Sequence, residues 1–111
     1  MKTKIRIAIL SDLRLDEEPC TLERPEADLV LIAGNTSAAD PVGVSTWAAR
    51  RFSGTPSALV AGGGDFKSFS RAETLSYMRH GAAGTAVKVL DNEVFELAFP
   101  TGRPRVLGAP L

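Results

Sequence analysis

The fold of this chain is set by its first strand and the turn after it, Lys4-Ile5-Arg6-Ile7-Ala8-Ile9-Leu10-Ser11-Asp12-Leu13-Arg14-Leu15. Isoleucine occupies every second position from 5 to 9, and no Pro or Gly interrupts the run. This alternation predicts a β-strand over residues 4–10. The strand would deliver Asp12 and Arg14 to its C-terminal end, which is the edge of an open α/β sheet where ligands bind.

Two later stretches show a similar pattern, in which an apolar run ends in a turn that begins with glycine. They are Asp28-Leu29-Val30-Leu31-Ile32-Ala33-Gly34-Asn35 and Ser57-Ala58-Leu59-Val60-Ala61-Gly62-Gly63-Gly64-Asp65. The continuous apolar run over 29–33 is typical of a strand that is buried on both faces, hence central and parallel. Residues 58–61 form the third predicted strand, so three turns should meet at one edge of the sheet.

Two helices are predicted between and after these strands. Asp40-Pro41 is a helix start, with Asp at the cap and Pro at the first helical position, and Gly54 and Pro56 end this helix. The second helix begins near Arg71 with the capping box Ser70-Arg71-Ala72-Glu73 and ends at Gly81 or Gly84. The residues predicted to face the sheet or the core are Val44, Trp47, Ala48 and Phe52 in the first helix, and Leu75, Met78 and Ala82 in the second.

The last third of the chain alternates short strands and turns. Strands are predicted at 86–90, 94–99 and 105–107, with Asp91-Asn92 as a tight turn between the first two. The order β, β, α, β, α, β, β, β predicts a layered α/β sandwich. Its sheet would be mixed, with parallel N-terminal and antiparallel C-terminal strands. The length of 111 residues fits a single domain, 1–111.

The composition of the chain indicates which classes of partner and which cellular compartment to expect. The 13 basic and 13 acidic side chains cancel, which argues against nucleic acid and anionic membrane as partners. No apolar run has the length of a membrane span, and the N-terminus does not resemble a signal peptide. Cys20 is the single cysteine, so a cytoplasmic location is expected. The polar, proline-containing loop at 16–27 is either a lid beside a site or an irregular crossover.

Several short blocks of the sequence, in the order in which they occur along the chain, resemble a known protein family. Strand-Ser-Asp-Leu-x-Leu, then Ala-Asp-Leu-Val-Leu-Ile-Ala-Gly-x, then Val-x-Gly-x-x-acid-Phe, then Ala-Ala-Gly-Thr-x-Val-x-Val-Leu-Asp-Asn are similar to the N-terminal half of the calcineurin-like metallophosphoesterases. The resemblance runs from about Lys4 to Ala109. It implies about half of an α/β sandwich domain that hydrolyses phosphate esters with two divalent ions (Mn, Fe or Zn).

The family's metal-ligand positions are mostly substituted in this chain. Asp12 matches the Asp-x-His motif, but Arg14 stands at the histidine position. Asn35 stands where the family has the aspartate that bridges the two metals. In the third motif the family's Asn and His are replaced by Gly63 and Gly64. Asp12 is thus a residual metal-ligand match only, and the comparison predicts no catalytic residue and no cofactor in the isolated chain.

Asp65 keeps the acid of the third motif and completes the degenerate binding site. Arg14 is expected either to pair with Asp12 or Asp65 in place of a lost metal, or to extend into solvent. The glycine turn either cradles an anion with its N–H groups or fills positions whose side chains had lost their role.

Three functions follow as expectations. The first is a degenerate metallophosphoesterase-like protein without phosphoesterase activity of its own, which acts as a binding or interaction module. The second is a metal-dependent hydrolase completed by a partner chain, and the third a metal-free phosphate or nucleotide binder that uses Arg14, Asn35 and the glycine turn. An open sheet edge would be covered by a homodimer or by a partner chain.

Overall fold

The computed structural model describes residues 5–15, 26–37, 39–99 and 102–109. Most of the predicted loop at 16–27, including Cys20, lies outside the described residues. The choice between a lid and a crossover for this loop therefore stays a prediction.

Four short strands form a parallel sheet in the order β1-β2-β3-β4. Their bounds are Ile7–Leu10 for β1, Leu29–Ile32 for β2, Ser57–Leu59 for β3 and Val87–Val89 for β4. Sequential neighbours pair throughout, with Leu10 opposite Ile32 and Ile32 opposite Leu59. The turns after β1, β2 and β3 consequently lie side by side at one edge of the sheet.

The antiparallel strands form a separate sheet. β5 (Glu93–Glu96) pairs with β6 (Arg105–Gly108), and among the described residues neither strand joins the parallel sheet. The layered α/β sandwich is confirmed, with its parallel and antiparallel strands divided between two sheets. The chain turns away after β4 at Asp91-Asn92, where Asn92 has a φ of 54° that asparagine tolerates well.

Both helices begin where the sequence predicts. In α1 (Pro41–Arg51), the Asp40 side chain accepts a hydrogen bond of 2.9 Å from the Gly43 N–H. In α2 (Arg71–Ala82), Ser70 and Glu73 form the reciprocal capping box. A short 3-10 helix, Gly63–Phe66, begins within the glycine turn and is an element that the sequence pattern does not predict. Capping side chains fix these starts because they satisfy backbone N–H groups that have no partner within the helix.

The helices pack on one face of the parallel sheet. The Ser45 hydroxyl of α1 donates a hydrogen bond of 2.6 Å to the Met78 carbonyl of α2. Gly81 lies inside α2 and does not end it; a Cβ there would meet the Val42 carbonyl of α1, so this glycine permits close helix packing. Gly84, with a φ of 76°, follows the helix end. The buried core residues are Val30, Ile32, Val44, Ala48, Phe52, Leu59, Ala61, Leu75, Met78, Ala82, Val87 and Val89.

The opposite face of the parallel sheet is only partly covered. Gly108 of β6 approaches it so closely that a Cβ would lie 2.6 Å from Leu90 and 2.9 Å from Val60. At the β1 end of the sheet, Ile7 and Ile9 remain 47% and 69% exposed. The second sheet thus covers the β3–β4 side and leaves apolar surface at β1. Within the described residues, no helix is long and apolar enough to cross a membrane.

Candidate functional site

The turns after β1, β2 and β3 form one polar site, named here the strand-end site: Asp12, Arg14, Asn35 and the turn Gly62–Asp65. Beyond the sheet, the first two turns continue to pair through their backbones. The Asp12 N–H donates to the Gly34 carbonyl (3.1 Å), and the Arg14 N–H donates to the Asn35 carbonyl (3.1 Å). The residues singled out from the sequence are therefore brought together.

The Asn35 side chain bridges all three turns. Its Nδ2 donates a hydrogen bond of 2.7 Å to Oδ1 of Asp12, and its Oδ1 accepts one of 2.7 Å from the Gly64 N–H. An amide can do both because it carries a donor and an acceptor, whereas an ionised carboxylate carries acceptors alone. Asn35 therefore fits this position better than the aspartate that the family resemblance implies there.

The glycine turn is packed against Asn35. A Cβ would lie 2.7 Å from the Asn35 Oδ1 at Gly62 and 2.8 Å from it at Gly64, whereas at Gly63 it would meet nothing within 4 Å. Gly62 and Gly64 thus permit a close approach of the Asn35 side chain, and only Gly63 faces open space. Two of the three glycine N–H groups are already bonded within the protein: that of Gly62 by Asp65 and that of Gly64 by Asn35. The turn therefore offers no set of converging N–H groups for an anion.

Asp65 is the buried base of the strand-end site and holds its loops. The residue is fully buried, and its two carboxylate oxygens accept hydrogen bonds from four backbone N–H groups. The donors are Asn35 (2.8 Å), Thr36 (2.8 Å), Ser37 (3.0 Å) and Gly62 (2.7 Å). The burial and this geometry make Asp65 a positioning residue rather than a ligand contact. This role is hard to recognise in the sequence, since an acid after a glycine turn is found in many loops.

Three non-glycine residues of the site have left-handed backbone conformations. The φ angles are 54° at Asp12, 47° at Arg14 and 53° at Asn35. Such conformations cost of order 1–2 kcal/mol per residue, less for Asp and Asn, and persist where the surrounding structure determines them. Here the cross-turn backbone hydrogen bonds and the Asn35 side chain supply that constraint.

Arg14 is exposed at the rim of the site. Asp65 is buried and its oxygens are engaged by backbone N–H groups, so an ion pair of Arg14 is expected with Asp12 rather than with Asp65. That pairing stays a prediction.

The residues of the strand-end site do not fit a pair of divalent ions. Within the described ranges, no group of three or more His, Cys, Asp and Glu side chains is placed to hold a metal ion. Asp12 is already bonded to Asn35, and the carboxylate of Asp65 to the backbone. A metal pair needs several free oxygen or nitrogen ligands, which this arrangement does not provide.

Comparison with known proteins adds no family assignment. No protein-family model, curated protein or solved structure matches the chain. The family resemblance therefore rests on the motif residues, and any function must be argued from the geometry.

Proposed function

We propose that the chain is a metallophosphoesterase-like protein without phosphoesterase activity of its own, and that it acts as a binding or interaction module. The observation that carries this proposal is the Asn35 bridge, with hydrogen bonds of 2.7 Å to both Asp12 and Gly64. A metal-bridging residue must direct free oxygen lone pairs at cations. The Asn35 amide instead closes the gap between the turns, and it needs no metal to hold them together.

The rival function is a metal-dependent phosphoric ester hydrolase completed by a partner chain. Metal analysis of the purified protein and a chromogenic phosphodiester assay with added Mn²⁺ distinguish the two. We expect metal well below stoichiometric amounts and no turnover. Stoichiometric metal (Mn, Fe or Zn), together with turnover that the Asp12→Ala variant abolishes, would establish the rival function instead.

The proposed binding surface has two parts with exposed apolar side chains, one on each sheet. It consists of the edge strand β1, with Ile7 and Ile9 exposed, and the outer face of the β5–β6 hairpin, where the cross-strand neighbours Val94 and Leu107 are 54% and 81% exposed. An edge strand with exposed isoleucines offers both main-chain pairing and apolar area. We propose that a second copy of the chain, or a partner chain, covers this surface.

Sedimentation velocity over a range of concentrations tests the interaction surface. Ile9→Lys should shift a self-associating protein toward monomer, because a charge would be buried in the contact. Tyr77→Lys is a matched control, since Tyr77 is also an exposed large side chain but belongs to α2 and not to β1 or the β5–β6 hairpin. If both variants sediment like a monomeric parent, the second copy is excluded as the partner at those concentrations.

The third function, a metal-free phosphate or nucleotide binder, has less support at the strand-end site. Arg14 supplies a cation there, but the N–H groups of Gly62 and Gly64 are engaged internally. Thermal stabilisation by phosphate that the Arg14→Gln variant lacks would favour it.

A cytoplasmic location is proposed from the single Cys20 of the sequence.

A further inference from the structure

Two depressions border Trp47 on α1. One, of about 470 Å³, is lined by Gly43, Thr46, Trp47, Arg50 and Arg51. The other, of about 430 Å³, shares Gly43 and Trp47 and adds residues at the helix start, including Ser37 and Asp40. Both volumes lie in the range of sites for small molecules. Together they form what is named here the Trp47 site, distinct from the strand-end site.

Helical spacing builds this site on one face of α1. Gly43, Trp47 and Arg51 are separated by four residues each, and Arg50 lies one turn beyond Trp47, so these positions are neighbours on the helix surface. Gly43 has no side chain, and the Asp40 carboxylate occupies the position that its Cβ would take. Trp47 is half-buried, and its ring packs edge to face on Phe52 with centroids 5.7 Å apart and an interplanar angle of 87°. The indole is thus held in one orientation and still borders both depressions.

Two arginines of the site have no acidic partner among the described residues. Within the described part of the chain, the side chains of Arg50 and Arg51 make no hydrogen bond or ion pair. Other arginines of the protein do pair with acids: Arg6 with Glu26, Arg71 with Asp91, and Arg79 with Glu93. Two adjacent unpaired guanidinium groups beside an aromatic ring favour an anionic ligand that carries a ring of its own.

We propose that the Trp47 site binds an aromatic phosphate monoester of the nucleoside monophosphate class. The phosphate would lie at Arg50 and Arg51, since guanidinium groups bind phosphate oxygens in a bidentate manner. The ring would stack on the Trp47 indole. Asp40, at the other end of the site, repels the phosphate and accepts hydrogen bonds from ring substituents, which fixes the direction of binding.

The expected affinity is modest. The arginines occupy the last turn of α1, where the helix dipole opposes an anion, and the site is open to solvent. Binding in the high-micromolar to millimolar range is therefore expected.

The test uses Trp47 itself, the single tryptophan of the chain, so that intrinsic fluorescence reports on this site alone. Adenosine 5′-monophosphate should change the emission in a saturable manner. Adenosine and inorganic phosphate should each bind at least about tenfold more weakly, because each lacks one of the two contacts. An unchanged emission with millimolar adenosine 5′-monophosphate would refute the proposal.

Charge-removing variants locate the phosphate. Arg50→Gln and Arg51→Gln should each weaken binding about tenfold, and circular dichroism checks that α1 is retained. Lys88→Gln removes the same charge from an exposed position of β4 and should leave the affinity unchanged. If the arginine variants bind like the parent, or if Lys88→Gln weakens binding as much as they do, the proposed site is wrong.

Discussion

Replacing Asp65 by asparagine tests the central positioning residue of the strand-end site. Each carboxylate oxygen of Asp65 accepts two backbone N–H groups: Oδ1 those of Thr36 and Ser37, and Oδ2 those of Asn35 and Gly62. An amide has nearly the same shape but offers one oxygen and one NH₂ group. Whichever way the amide is oriented, its NH₂ group would face two backbone N–H donors, and those two donors would lose their acceptor.

The cost of this substitution follows from the bonds that are lost. A hydrogen bond to a charged group contributes about 1.5–3 kcal/mol to stability, so losing two destabilises the fold by about 3–6 kcal/mol. Domains of this size have a free energy of unfolding of about 5–15 kcal/mol. The Asp65→Asn variant is therefore expected to lose a large fraction of its free energy of unfolding.

Urea denaturation, followed by Trp47 fluorescence and far-UV circular dichroism, measures the effect. With a urea dependence of about 2 kcal/mol per molar, a loss of about 4 kcal/mol lowers the midpoint by about 2 M. Asp12→Asn is the matched control, because Asp12 is exposed and the new amide oxygen can still accept from Asn35; its loss should stay below about 1 kcal/mol. An Asp65→Asn protein within about 1 kcal/mol of the parent would refute the positioning role.

Three further substitutions test the surrounding geometry. Asn35→Asp places a second carboxylate at hydrogen-bond distance from Asp12 and should lower the thermal midpoint, with a loss of about 1–3 kcal/mol; a variant that is more stable than the parent without metal would contradict the role of the amide bridge. Gly34→Ala should cost about 2 kcal/mol or more in urea denaturation, because Gly34 has a φ of 96° and a Cβ would lie 2.8 Å from backbone, whereas Gly63→Ala should be nearly neutral. Ser70→Ala removes the cap of α2 and should cost about 1 kcal/mol by the same measurement.

Elements with local side-chain signals were predictable from the sequence. Asp40-Pro41 and the Ser70 capping box fixed both helix starts, because the capping bonds join residues only three apart in the chain. The apolar run at 29–33 correctly predicted a central parallel strand, since both faces of β2 are buried or nearly so. These features depend on neighbours in sequence, which a sequence pattern records directly.

Features that depend on pairing across the fold were less predictable. Among the described residues, the strand predicted over 4–10 is a ladder from Ile7 to Leu10, and that predicted over 94–99 is Glu93–Glu96 with a separate bridge from Phe99 to Gly102. Hydrophobic alternation indicates which residues can be extended, but not which of them form a continuous ladder with a partner strand, so it overestimates strand length. Trp47 was predicted to face the core with Val44; it packs against the buried core but stays half-buried, because it occupies the border of the apolar stripe of α1.

One part of the strand-end site was predictable from the sequence and another part was not. The substituted motif positions predicted that Asp12, Asn35 and the glycine turn would meet at one edge, and they do. The role of Asp65 was hidden, because a carboxylate that binds backbone N–H groups leaves no matching side chain in the sequence to indicate its partners.

Asp65 and Asn35 stabilise the strand-end site in complementary ways. Asp65 binds the backbone of two turns from below with an anion, and Asn35 links the side chain of Asp12 to Gly64 from above with a neutral amide. Both contacts are hydrogen bonds within the chain, so the three turns themselves hold the shape of the strand ends. This is the physical reason to test the proposed binding function at the apolar surface of β1 and at the Trp47 site.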